Sequence, residues 1–311
     1  VSAATNESES ELPVDGYLGL IQSVTGTGPI PSPGTSLRLC LDLMSDDRPD
    51  TRFVAETIHS EHHLGCGLLA VANCLYDAST ELKTAQQAID VLDRDKVCEC
   101  LWILALSDTL QSRWSPEFDD ASCAPRPDRV CDQLWRHSLL TGVLTLEILN
   151  VLEIHARYGL AAGMAHDIGH LLIEGSGREL SVVWHSEHDA LVDQPGNLTT
   201  DKNHCRLGGS LLTCWNAPPE LIQSGFHHHH PGRSARAHQP LVHVVRMADL
   251  YTEHIECQPS DSEFGVSSHP VWSSLIHLSS EPPVPDIDLL IAELLPDCLQ
   301  VTEHLVRLLA R

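Results

Sequence analysis

From Thr35 onward, apolar residues return every three to four positions, and alternating runs of the strand type are scarce. Leu37, Cys40, Leu41 and Met44 set the first such stripe, which the polar run Ser45-Asp46-Asp47-Arg48-Pro49-Asp50 ends. The same period predicts helices from about Thr51 to His59, Leu64 to Leu75, Thr84 to Leu92 and Lys96 to Leu110. It then lapses over 111–130, where Ser115-Pro116, Asp119-Asp120 and Pro125-Arg126-Pro127-Asp128 carry no apolar repeat and read as a linker. Beyond it, helices are expected at about 131–153, 157–165, 180–192, 202–215, 218–226, 238–256 and 284–309, with a Pro/Ser-rich loop over 258–283.

The expected class is therefore all-α, with an N-terminal helical bundle packed on a second helical core. Residues 1–34, polar and ending in Gly28-Pro29-Ile30-Pro31-Ser32-Pro33-Gly34, read as a flexible arm. The expected organisation is arm 1–34, N-terminal lobe 35–110, linker 111–130, second lobe 131–256, and a loop with C-terminal helix over 257–311.

Composition narrows the partners. With 43 acidic and 19 basic residues the formal net charge is −24. Neutralisation of phosphates by Lys and Arg drives nucleic-acid binding, so neither nucleic acid nor an anionic membrane is an expected partner. The 11 cysteines are an odd number, scattered through apolar segments without a CxxC pair, and read as reduced thiols. With no signal-peptide pattern and no apolar run of bilayer length, the expected location is the cytoplasm. The start at Val1 rather than Met points to a processed chain or a piece of a longer one.

Candidate chemistry lies in the 20 histidines. An apolar run from Val143 to Met164 leads into Ala165-His166-Asp167-Ile168-Gly169-His170. Adjacent side chains diverge by about 100° within a helix, but at a helix end an imidazole and a carboxylate can converge on one ion. Both donor types suit divalent first-row metals. Further ligand-type residues stand in order: His137 in a strongly apolar helix, His204 at a helix start, the run His227–His230 at a helix end, and Asp249 amid Val245, Met247, Ala248 and Leu250. Burying that carboxylate is costly unless it is paired or metal-bound. Each residue alone is as well explained as a packing or surface group; the ordered set is not.

The order His137, His166-Asp167, His204, His228-His229, Asp249 resembles the ligand order of the HD superfamily of metal-dependent phosphohydrolases, and in particular its HD-GYP and HDOD branches. His204-x-x-Leu207-Gly208-x-x-Leu211-Leu212-x-x-Trp215-x-x-Pro218, followed by His228-His229-x-Pro231, is similar to HDOD. So are Pro31-Ser32-Pro33, the Asn-centred segment Leu68 to Tyr76, and Gln87-Ala88-Ile89-x-x-Leu92.

The resemblance implies the multi-helix HDOD fold and one or two divalent ions, iron, manganese or similar. His137, His166, Asp167 and Asp249 would hold one ion, and Asp167 would bridge to a second held by His204, His228 and His229. Three departures bear on activity. His230-Pro231-Gly232-Arg233-Ser234-Ala235-Arg236 replaces the Gly-Tyr-Pro loop, and His170 stands where active HD hydrolases commonly carry Lys. Gln133 takes the place of the carboxylate that supplies a third metal in trinuclear relatives, with Asp132 off that face, so no third ion is expected.

Two readings follow. In the first, this is a regulatory protein whose partner is a signalling protein or a small phosphorylated ligand. In the second, it is a phosphohydrolase or phosphodiesterase acting on a nucleotide or cyclic dinucleotide. There Asp167 and His170 serve the reaction, and Arg233 and Arg236 hold the phosphate.

Overall fold

The computed structural model describes residues 13–25, 30–46, 48–76, 81–111, 129–175, 204–257, 265–278 and 286–310, and every regular element among them is helical. The helices are α1 Val14–Thr25, α2 Thr35–Ser45, α3 Thr51–Ser60, α4 His62–Leu75, α5 Ala85–Val91, α6 Arg94–Gln111 and α7 Arg129–Val151. They continue as α8 Gly159–Ala165, α9 Gly169–Gly175, α10 His204–Cys214, α11 Pro219–His227, α12 Gln239–Cys257, α13 Pro270–Leu278 and α14 Ile287–Leu309. No described helix is long and apolar enough to cross a membrane.

The starts of several helices follow from local chemistry. Asp50, Thr84 and Asp286 each accept a hydrogen bond from the backbone N–H three residues on, closing the first turns of α3, α5 and α14. Asn73 clamps the chain ahead of α5 with both ends of its amide, accepting from Leu82 N–H at 2.8 Å and donating to Leu82 O at 2.9 Å.

The helices expected to form two lobes, those before and after residues 112–128, meet on α6. Val97 to Leu106 are buried without interruption, so this helix has no solvated face over that length, as expected of a helix inside a core. It packs on α2 and α4 to one side and on α7 and α8 to the other, and a single apolar core runs through both lobes. Glu99 is the polar exception. Its carboxylate accepts from the Tyr76 hydroxyl at 2.9 Å and from Leu160 N–H, at the first turn of α8, at 2.9 Å. Burial lifts the Glu99 carboxyl above its ordinary value, against the pull of those hydrogen bonds.

Two expectations need correction. The segment read as a flexible arm contains α1, which buries Ile21 and Thr25 and packs on α9 and α10, with Tyr17 against the Phe226 ring at 6.0 Å. Tyr17, Ile21 and Thr25 are spaced one turn apart, a stripe too short to stand out among the surrounding Ser, Thr and Gly. The loop expected over 258–283 contains α13, whose Val271, Trp272 and Leu275 are buried. Helix ends elsewhere fall within a few residues of expectation. Of the linker expected over 111–130, Gln111 ends α6 and Arg129 and Val130 open α7, while residues 112–128, residues 1–12 and the helix expected at 180–192 lie outside the described residues.

Pieces of the N-terminal pattern meet pieces of the C-terminal one. The Trp215 indole donates to Pro31 O at 2.8 Å, joining segments 184 residues apart.

Candidate metal centre

Five segments bring the ligand-type residues together. His137 projects from α7, His166 and Asp167 from the turn that ends α8, His204 from the start of α10, His228 and His229 from the end of α11, and Asp249 from α12. His137, His166, Asp167, His228 and Asp249 are buried, while His204 and His229 are partly so. His166 caps α8 and the chain turns directly after it, which lets adjacent side chains face one centre.

Around the first position, His166 Nε2 lies 3.3 Å from Asp167 Oδ2 and 3.4 Å from Asp249 Oδ1. His137 Nε2 lies 3.4 Å from His166 Nε2, 3.4 Å from Asp249 Oδ1 and 3.7 Å from Asp167 Oδ2. Bonds of 2.0–2.2 Å at tetrahedral angles place neighbouring donor atoms about 3.3–3.6 Å apart, so these four residues are spaced as the ligands of one ion. Around the second, His204 Nε2 lies 3.1 Å from His228 Nε2 and 3.0 Å from His229 Nε2. Asp167 turns its other oxygen there: Oδ1 is 3.2 Å from His204 Nε2 and 3.3 Å from His228 Nε2. One carboxylate therefore faces both positions, one oxygen to each.

The neighbours of these ligands orient them. His137 Nδ1 meets Glu256 Oε2 at 3.0 Å, His166 Nδ1 meets Gly163 O at 2.6 Å, and His228 Nδ1 meets Ser224 O at 2.9 Å. Carbonyl and carboxylate oxygens only accept, so each Nδ1 carries a proton and Nε2 is the nitrogen turned toward the centre, the one an ion would displace a proton from. That is the usual outer arrangement of metal-binding imidazoles. Arg246 donates to Asp249 Oδ2 at 2.6 Å and leaves Oδ1 facing the histidines. These groups fit one or two divalent ions.

The electrostatics agree. Burial opposes ionisation of Asp167, but the charges of His166 and His204 outweigh it and hold its carboxyl well below the usual range. Asp249 is likewise held well below it, against its burial, by His166, His137 and Arg246. Burial disfavours a charged His204, yet Cys205 and Asp167 push it up to about 10. Farther along α12, burial and then Asp249 push Glu253 up to about 8.

His170 stands at the edge of this set, close enough to Asp167 and His204 to offer a donor atom with them. Its ring lies flat on that of His204, with centroids 4.2 Å apart at 16°, and its Nε2 is 3.9 Å from Asp167 Oδ1. Arg233 is exposed on a single 3-10 turn, Pro231–Arg233, and lines a cleft of about 490 Å³ with His229, His243, Arg246 and His269. Arg236 is exposed and does not line that cleft. His227 and His230 stand outside the converging groups. Asp132 pairs with Arg136 at 3.2 Å and Gln133 is exposed.

Sequence reasoning missed Glu256, Arg246 and Cys205. The first two had a legible signal: Arg246 stands three residues before Asp249 and Glu256 seven after it, both on the face of one helix.

A family model described as HDOD domain matches residues 30–231. No curated protein matches this chain at a significant level. Among solved structures, an HDOD domain protein of unknown function from Geobacter sulfurreducens aligns with 20% identity and a TM-score of 0.66, covering 95% of this chain and 99% of that one. A candidate phosphohydrolase from Shewanella amazonensis SB2B aligns with 17% identity and a TM-score of 0.59, over 94% and 98% of the two chains. A candidate signal transduction protein from Marinobacter aquaeolei VT8 gives 13% identity and a TM-score of 0.56, over 96% of this chain and 66% of that one. Likeness at these identities is likeness of fold.

Proposed function

The chain belongs to the HDOD domain family, and from that premise we propose that it is a signal-transduction protein built around a divalent-metal centre of HD type. In this reading the centre binds and orients more than it turns over. The observation that carries it is His170. The position where active HD hydrolases commonly carry Lys holds an imidazole stacked on the ring of His204. It therefore offers no ammonium to a substrate phosphate and instead packs a metal ligand in place.

A bound divalent ion would polarise phosphoryl oxygens and acidify a coordinated water. This chain's own part is to hold two carboxylates ionised, to lock three imidazoles with Nε2 inward, and to tie α7, α8, α10, α11 and α12 to one point. Occupancy would thus be read out as the relative placement of five segments, which a partner protein or a small phosphorylated ligand could sense.

The second reading, a phosphohydrolase or phosphodiesterase, is favoured by the completeness of the ligand set and by the cleft beside His229. Arg233 and Arg246 line that cleft, and among the described residues no Asp or Glu does. Guanidinium groups suit phosphate.

The two readings separate in one experiment. Protein purified without an affinity tag is analysed for metal, then assayed for hydrolysis of bis(p-nitrophenyl) phosphate with added manganese or iron. The regulatory reading expects bound metal and no turnover. Turnover that disappears in Asp167→Ala would replace it with the hydrolytic one, and protein that takes up no metal would remove the centre from both.

A further inference from the structure

Cys205 is the second residue of α10, directly after the ligand-type His204, and only 6% exposed. The buried cysteines Cys40, Cys98, Cys100 and Cys298 belong to the apolar core, but Cys205 does not. It faces imidazoles instead. Its Sγ lies 3.3 Å from His204 Nε2 and 3.7 Å from His228 Nε2, and one atom from each of His204, Cys205, His228 and His229 fits within a sphere of mutual separations no larger than 4.8 Å.

Those distances are those of a coordination shell. Bonds of about 2.0–2.1 Å to imidazole nitrogen and about 2.3 Å to thiolate sulfur, at tetrahedral angles, put N and S about 3.6 Å apart and two N atoms about 3.3 Å apart. The observed N···S separations of 3.3 and 3.7 Å straddle the first figure, and the N···N separations of 3.0 and 3.1 Å fall slightly inside the second. Four of the six donor pairs thus stand near coordination distances, and the other two lie within 4.8 Å.

We propose that Cys205 is a ligand of the second ion, adding a thiolate to the three histidines and the Asp167 oxygen that face that position. As the sulfur–metal bond forms, the S–H bond breaks and its proton passes to solvent, so the site gains one net positive charge, less than a divalent ion on neutral ligands alone would add. The inference rests on the metal-centre reading above and deepens it by making the two positions chemically unlike. The first has two imidazoles and two carboxylates and suits a hard or borderline ion. The second has a soft sulfur donor, which selects for zinc over manganese. Three imidazoles, a thiolate and the Asp167 oxygen also fill the shell with protein donors and no water, which is the pattern of a structural rather than a catalytic ion. The second ion then serves as a clasp between α10 and the end of α11.

The test uses the full chain loaded with cobalt(II), with bound cobalt measured by elemental analysis alongside the absorption spectrum. A near-ultraviolet sulfur-to-cobalt charge-transfer band is expected, lost in Cys205→Ser and kept in Cys66→Ala. The second variant matters because Cys66 Sγ, on an exposed turn of α4, lies 3.6 Å from His62 Nε2 and could bind cobalt adventitiously. X-ray absorption of the zinc-loaded wild type needs no variant and should show a sulfur neighbour at about 2.3 Å. Cobalt bound without a sulfur band, or a band that survives in Cys205→Ser, overturns the cysteine assignment and leaves the histidine centre standing. A wild type that binds no cobalt and no zinc overturns both.

Discussion

At the scale of single residues, the converging groups depend on side chains that stand outside them. His137 is held by Glu256, which accepts from its Nδ1 and so turns Nε2 toward His166 and Asp249. Loss of such an outer partner typically costs a metal site about 10–100-fold in affinity. Glu256→Ala is therefore expected to weaken binding by about that factor with the fold retained, as read by competition with a chromophoric chelator. Unchanged affinity would mean that packing alone orients His137. The residue scale also shows where local reading ran short. His166 and Asp167 announce themselves as a pair, whereas Cys205 looks like any other cysteine in an apolar helix until its neighbours are known.

At the scale of elements, the site depends on how closely α9 and α10 cross and on how α8 is anchored. A Cβ added at Gly169 would overlap the His204 carbonyl oxygen and come within 2.7 Å of Gly208 N, both backbone atoms that cannot swing aside. Overpacking commonly costs about 1–3 kcal/mol and more where backbone must move. Gly169→Ala should thus cost about 3 kcal/mol or more in denaturant unfolding and should displace His204 from Asp167, with metal lost in parallel. A variant of wild-type stability would show that the crossing is looser than it stands here.

The other anchor is Glu99, reaching from α6 to the first turn of α8. An acid whose folded pKa is raised above its unfolded one, here from 4.5, contributes its full stability below the unfolded value and loses it as pH rises through the folded value. Glu99→Gln keeps an acceptor for Leu160 N–H but does not titrate. Its stability relative to wild type should therefore improve steadily as pH is raised from the ordinary carboxylate range toward neutrality, measured by urea unfolding across that range. A difference independent of pH would mean that Glu99 is charged and unstrained in the folded protein.

At the scale of the whole molecule, five segments that converge on one centre are far apart in sequence, so an ion bound there would cross-link α7 to α12. Binding to the folded state alone stabilises by about 2.7 kcal/mol at a hundredfold excess over Kd. Stripping the metal with a chelator should accordingly lower the Tm by about 5 °C, and re-addition should restore it. An identical Tm with and without metal, at proven occupancy, would mean that the centre forms without coupling to the fold. A fold in which one core spans both lobes, with α6 between them, also gives the centre a physical route to the N-terminal lobe through Glu99 and α8.

The 3.6-residue apolar period determined the helical class and the position of most helices, because each helix must turn an apolar stripe inward wherever it packs. The residues that converge were legible too, as the ordered His and Asp set that resembles the HD superfamily. The packing of α1 and α13 was decided in three dimensions, their stripes being too short to exceed the polar composition around them. So were the division of Asp167 between two positions, the stacking of His170 on His204 and the approach of Cys205 to His204 and His228. Each of these depends on the angle at which separate helices cross, a quantity that no local spacing along the chain encodes.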